Sequence, residues 1–145
     1  MWQTIREETE AAAAAEPMLA SFLHQTVLRH ESLDSVLSYH LSSKLGSPIM
    51  DVRALFEIYQ QALGSDEKIS KCVEADLKAI YERDPACDEY TLPLLYFKGF
   101  HAIQAHRINH WLYLNGRKTL AYFLQNRMSE VFGVDIHPAA HFGHG

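Results

Sequence analysis

Over the first 133 residues, large apolar side chains recur at three- and four-residue spacings, and stop signals cut this pattern into helices. Residues 2–15 read as the first helix, closing on a run of alanines, strong helix formers with little side chain to bury. Glu16-Pro17 restarts the chain, with Pro17 suited to a first helical turn. Met18, Phe22, Leu23, Thr26 and Val27 then lay a stripe along a second helix. Ser32 is the expected N-cap of a third, which carries Leu33, Val36, Leu37 and Leu41 and closes near Gly46. After the Ser47-Pro48 break, Asp51 can cap a helix bearing Val52, Leu55, Phe56 and Tyr59 that closes at Gly64. Asp66 opens the next, with Ile69, Val73, Leu77 and Ile80 on one face. Arg83-Asp84-Pro85-Ala86-Cys87-Asp88 is a polar connector. The longest periodic segment runs from about Leu92 to Leu114 and stops at Asn115-Gly116; a last helix, from about Arg117, closes at Gly133. No strand alternation precedes Val134, so the expected class is all-α, a multi-helix domain.

After Gly133 the period changes. Ile136 and Phe142 stand six residues apart, and Phe142 is followed by glycine, the register of a hexapeptide-repeat β-solenoid. One coil cannot bury its own inward face, so the pattern implies further coils after Gly145. The expected organisation is a helical domain over residues 1–133 and the first coil of a solenoid over 134–145.

Composition narrows the function classes. The chain is 48% hydrophobic and 21% charged, with a net charge of -5. That balance offers no general electrostatic case for nucleic acid or an anionic membrane. The N-terminus is charged and lacks the apolar core of a signal peptide, and no apolar run reaches the length of a transmembrane helix. Cys72 and Cys87 lie far apart without a CxxC spacing and read as free thiols. Together these features suggest a cytoplasmic protein.

Histidine is the residue type that most invites a site. His106 and His110 are four apart and share a helix face, the spacing of a zinc pair. His101 lies about 140° round the helix from His106, and no carboxylate or cysteine completes a set, so the expected role is structural, with no metal. His137, His141 and His144 form a second group, read as structural within the first coil. The aromatics from Tyr96 to Phe123 are expected in the core, with part of that surface available to a second copy. On their own, Asp84 before Pro85 reads as a turn residue or cap, and Asp135 as a solvated loop acid.

Glu16-Pro17-Met18-Leu19-Ala20-Ser21-Phe22, Ser47-Pro48-Ile49-Met50, Arg83-Asp84-Pro85-Ala86, Pro93 through Ala102, and Val134-Asp135-Ile136-His137-Pro138-Ala139-Ala140 follow one another over nearly the whole chain. In this order they resemble the N-terminal half of the bacterial serine O-acetyltransferase family. The resemblance implies a helical domain followed by a left-handed parallel β-helix, with trimers meeting through the helical domain to form a hexamer. It implies acetyl transfer from acetyl-CoA, as co-substrate, to the hydroxyl of L-serine, and feedback inhibition by L-cysteine. Docking to O-acetylserine sulfhydrylase would use a C-terminal tail outside these residues.

The resemblance also assigns roles. Asp84 would hold the ammonium group of serine or cysteine, and Asp135 would orient the general-base histidine. That histidine and the CoA groove are expected beyond Gly145, so residues 1–145 alone are expected to be inactive. Two other readings remain open: a non-catalytic helical oligomerisation or regulatory module, and a related hexapeptide acyltransferase with a different acceptor. The Arg83-Asp84-Pro85 loop favours an amino-acid acceptor over the second of these.

Overall fold

A computed structural model describes all residues 1–145. The chain is all-α, built from α1 Trp2–Ala15, α2 Ala20–Leu23, α3 Leu33–Leu45, α4 Val52–Ser65, α5 Glu67–Arg83, α6 Thr91–Tyr96, α7 Lys98–Leu114 and α8 Lys118–Phe132. α7 is central and packs mainly on α8, while α3 packs on α4 and α1 covers the region around α2. Leu41, Leu55, Leu77, Ile108, Leu112 and Leu124 have no exposed surface and join one continuous core. No helix is long and apolar enough to cross a membrane.

Several predicted boundaries hold for the predicted reason. Ser32 Oγ accepts from the Ser35 amide at 3.2 Å, and Asp66 Oδ1 accepts from the Lys68 amide at 3.0 Å. Each satisfies an amide left unpaired at a helix start. Gly133 ends α8 in the left-handed conformation, at φ 70, where glycine carries no Cβ penalty. Gly46 serves space instead: a Cβ there would lie 2.3 Å from Val52 Cγ2. Arg127 closes the same end of α3, donating through Nε to the Leu45 carbonyl and through Nη2 to that of Gly46, both at 2.9 Å.

Other expectations are corrected. Asp51 precedes α4, but its side chain makes no capping bond. α4 also runs past Gly64 to Ser65, because Gly64 keeps helical geometry and Asp66 supplies the next start. On the second stripe, Leu23, Thr26 and Val27 are buried, whereas Met18 is 90% exposed and Phe22 lies at the surface. A 3-10 turn at Pro17–Leu19 and a π-helical turn at His24–Leu28 replace a regular helix there, and both rotate the side-chain faces away from 3.6-residue spacing.

The predicted helix over Leu92–Leu114 is two helices, separated at Phe97 (φ -89, ψ 104). Tertiary partners hold both ends of the short α6. The Glu8 carboxylate accepts from the Tyr90 amide at 3.2 Å and the Thr91 amide at 2.9 Å. His101 Nε2 donates to the Leu94 carbonyl at 2.8 Å, and His40 Nε2 to the Leu95 carbonyl at 3.1 Å.

The His40 and His101 rings meet edge to face at 4.9 Å. Burial, first of all, lowers both to a pKa of about 4. Because their folded values lie below the unfolded value of 6.5, the unfolded chain binds more protons between those limits. Stability is therefore full above about pH 6.5 and falls as pH drops toward 4. Each histidine that must charge costs roughly 3 kcal/mol. Urea midpoints measured from pH 7 to pH 4 should fall steeply for the native chain and more gently for His40→Gln. Parallel curves would count against the pair as the source of acid sensitivity.

Residues 134–145 contain no strand. They make a turn at Pro138-Ala139, closed by the Ala140 amide on the His137 carbonyl at 2.9 Å, and lie against α7. The predicted solenoid coil is thus not formed within this chain. Ile136 is half-buried, and Phe142, 41% exposed, meets the His106 ring edge-on at 5.0 Å. The physical reason is that the carbonyls of Pro138, Ala140 and Gly143 are taken by His110, His106 and Arg107, so the segment is held along α7 and pairs with no strand.

Candidate active site

The polar connector after α5 forms a tight, defined loop. Asp84 ends the helix in an extended conformation (φ -94, ψ 109). Its Oδ1 accepts from the Ala86 amide at 2.9 Å, and its carbonyl accepts from the Cys87 amide at 3.0 Å. The turn role read from Asp-Pro is therefore real. It occupies one carboxylate oxygen, and no cation of the chain pairs with the group. Asp84 is half-buried, on the wall of a cleft of about 850 Å³ between α5, α7 and residues 142–145. Its lining mixes apolar Ile80, Phe100 and Ile103 with polar Asp76, Arg83 and Arg107. An unpaired carboxylate on such a wall is suited to a small cation carrying N–H donors.

Asp135 is elsewhere. It follows the left-handed Gly133, is exposed, and its Oδ1 accepts from Gln125 Nε2 of α8 at 2.9 Å. It does not line the Asp84 cleft, so the chain does not bring the two candidate carboxylates into one cavity.

Five of the six histidines in the two groups have structural partners, and His144 lines the Asp84 cleft. His106 Nε2 donates to the Ala140 carbonyl and His110 Nδ1 to that of Pro138, both at 2.7 Å. Burial lowers the His106 pKa, partly offset by its bond to Ala140. His101 points away to Leu94, as its angular offset predicts. His141 rests against His110, and His137 against Tyr113 and Tyr122. Cys87 is buried, which raises its thiol pKa, and Cys72 is half-buried; both are unpaired.

What the sequence pattern did not single out is the polar interior of α7. Gln104, Arg107 and Asn109 are buried. Gln104 Nε2 donates to Asp76 Oδ2 at 2.8 Å, and Arg107 Nη1 pairs with the same oxygen. Asn109 Nδ2 donates to the Ala121 carbonyl at 2.9 Å. The available signal was polar residues interrupting the core face of the most periodic helix.

Comparison with known proteins places this arrangement in a family. The family model described as serine acetyltransferase, N-terminal, matches residues 1–105. The serine acetyltransferase of Salmonella typhimurium (strain LT2) is 52% identical over 145 residues, which is 100% of this chain and 53% of that protein. The crystal structure of Neisseria gonorrhoeae serine acetyltransferase in complex with serine is 92% identical, with a TM-score of 0.98 over 99% of this chain and 60% of that one. A serine acetyltransferase solved with cysteine superposes with a TM-score of 0.96 at 51% identity, over 99% of this chain and 56% of that one. The chain belongs to the serine acetyltransferase family, and its residues correspond to the N-terminal portion. It spans about half the length of the curated relatives it matches.

Proposed function

We propose that residues 1–145 are the N-terminal part of a serine O-acetyltransferase, which transfers the acetyl group of acetyl-CoA to the hydroxyl of L-serine. The observation that carries this reading is the unpaired Asp84 carboxylate, held by its own turn on the cleft wall. The chain shares its fold with a relative whose structure contains serine. Relatives solved with cysteine and with CoA support feedback control by cysteine and acetyl-CoA as donor.

A serine hydroxyl is a weak nucleophile at its own pKa and must lose its proton as it attacks the thioester carbonyl. A histidine from the β-helix that follows Gly145 takes that proton, and Asp135 orients its ring. Asp84 pairs with the α-ammonium group common to serine and cysteine, which makes cysteine a competitor for the same place. The enzyme acts in the cytoplasm, and its C-terminal tail serves the sulfhydrylase. The test is serine-dependent release of free CoA. The full-length enzyme is expected to show it, and residues 1–145 alone are not; release by the short chain would place the catalytic base within it and refute this division of roles.

Self-association through the helical domain is part of the same reading. Met18, Leu19 and Phe22 leave an exposed apolar patch beside the 3-10 turn, of the kind that marks an interface. Light scattering on residues 1–145 at high micromolar concentration is expected to give a dimer or larger. Met18→Glu should shift it toward monomer, and a native chain that is already monomeric would remove this interface.

A further inference from the structure

The last residues are held by their peptide groups. Along α7, His110 takes the carbonyl of Pro138, His106 that of Ala140, and Arg107 Nη2 that of Gly143. From α5, Asp76 Oδ1 accepts from the Gly145 amide at 2.9 Å, and Arg83 Nη1 donates to the Gly145 carbonyl at 2.7 Å. Helix positions run from 110 back toward 106 while the segment runs forward from 138 to 143, so it lies antiparallel to α7. Each grip is a side chain on a backbone atom, so the grips define the register of the segment whatever its own side chains are.

Arg107 joins these grips to the candidate site. It is 8% exposed, pairs through Nη1 with Asp76 Oδ2 and Gln104 Oε1, and reaches Gly143 with Nη2. Asp76 completes the bridge with its second oxygen on Gly145. Arg83, which holds the other side of Gly145, is the immediate neighbour of Asp84. The Asp84 loop and the start of the next structural unit therefore share one brace.

We propose that Arg107 and Asp76 are positioning residues for the acetyl transfer: their ion pair sets the register of residues 143–145 against the Asp84 loop, and so the distance between bound serine and the catalytic coil. This rests on the reading under Proposed function. Both side chains line the Asp84 cleft, and the role assigned to them acts through the backbone they hold. Reacting groups displaced by about 1 Å can lose about a hundredfold in rate, whereas affinity for serine depends on the loop and should change little.

The experiment uses the full-length enzyme containing residues 1–145. Wild type is compared with Arg107→Met, Arg107→Lys and the charge-neutral pair Asp76→Asn/Arg107→Gln, with kcat, KM for serine and hydrogen exchange at the Gly145 amide as readouts. Lysine can still neutralise Asp76 but cannot also bridge to Gly143. All variants, lysine included, are expected to lose about tenfold or more in kcat, with serine KM within about threefold of wild type and faster Gly145 exchange. The neutral pair leaves no uncompensated buried charge, so it reports even if Arg107→Met fails to fold. Full turnover in Arg107→Lys would reduce the pair to charge balance and overturn the proposal. So would faster exchange without loss of kcat, or a serine KM that rises as kcat falls. A wild-type enzyme without serine-dependent CoA release would instead refute the underlying function, and the positioning role with it, while the exchange data still show whether the brace exists.

Discussion

Asp135→Asn in the full-length enzyme is expected to lower turnover about a thousandfold or more while leaving serine saturation nearly unchanged. An imidazole that acts as general base must present the correct ring nitrogen, and the carboxylate on its other nitrogen sets that tautomer and stabilises the charged ring. Asparagine keeps the shape and loses the charge, so the loss falls on the transition state and not on the bound substrate. Asp84→Ala should behave in the opposite way. A hydrogen bond to a charged partner contributes about 1.5–3 kcal/mol, so serine affinity and cysteine inhibition should weaken together by roughly ten- to a hundredfold. Acetyl-CoA binding should be spared. The structure makes the contrast possible, since Asp84 lines the cleft and Asp135 does not. The decisive comparison is kcat and KM for both substrates in the two variants, with cysteine inhibition curves. Unchanged serine saturation in Asp84→Ala would remove the loop from the amino-acid site, and a normal kcat in Asp135→Asn would end the orienting role.

The second large effect concerns stability. Leu41→Ala is expected to cost about 2–5 kcal/mol, the range for a buried leucine truncated in a rigid core. Leu41 is fully buried on α3, which packs on α4 and α8, so no mobile surface can collapse into the space left behind. Against a total stability of about 5–15 kcal/mol for a domain, the variant should be marginal and its urea midpoint should fall sharply at constant slope. Tyr122→Ala, at a position 46% exposed, should move the midpoint far less. Equal shifts in the two variants would mean that α3 is not part of the cooperative core.

Most helices were legible because their information is local. α3, α5 and α8 carry apolar faces, N-caps or a terminal glycine whose meaning does not depend on the rest of the chain. Failures occurred where a distant residue decides the local shape. No periodicity within residues 92–114 marks a break at Phe97, because the groups that accommodate it are Glu8, His40 and His101. Only His101 lies within that stretch. Likewise, five grips on residues 138–145 come from α5 and α7, at least 28 positions away in sequence.

The candidate site divides along the same line. Residue type, order and family resemblance were enough to single out Asp84 and Asp135 and to assign the chain to an all-α domain. Only the tertiary structure showed that Asp84 keeps one carboxylate oxygen clear of its own turn, on the wall of a cleft. It alone revealed that the histidines spaced like a metal pair spend ring nitrogens on the backbone of the last residues. It also turned Arg107 from one more polar residue on a helix into the link between that backbone and Asp76. Helix periodicity and capping are short-range preferences that a single chain displays along its length. The partner of a buried polar group is chosen by packing, which brings together residues that the sequence keeps apart.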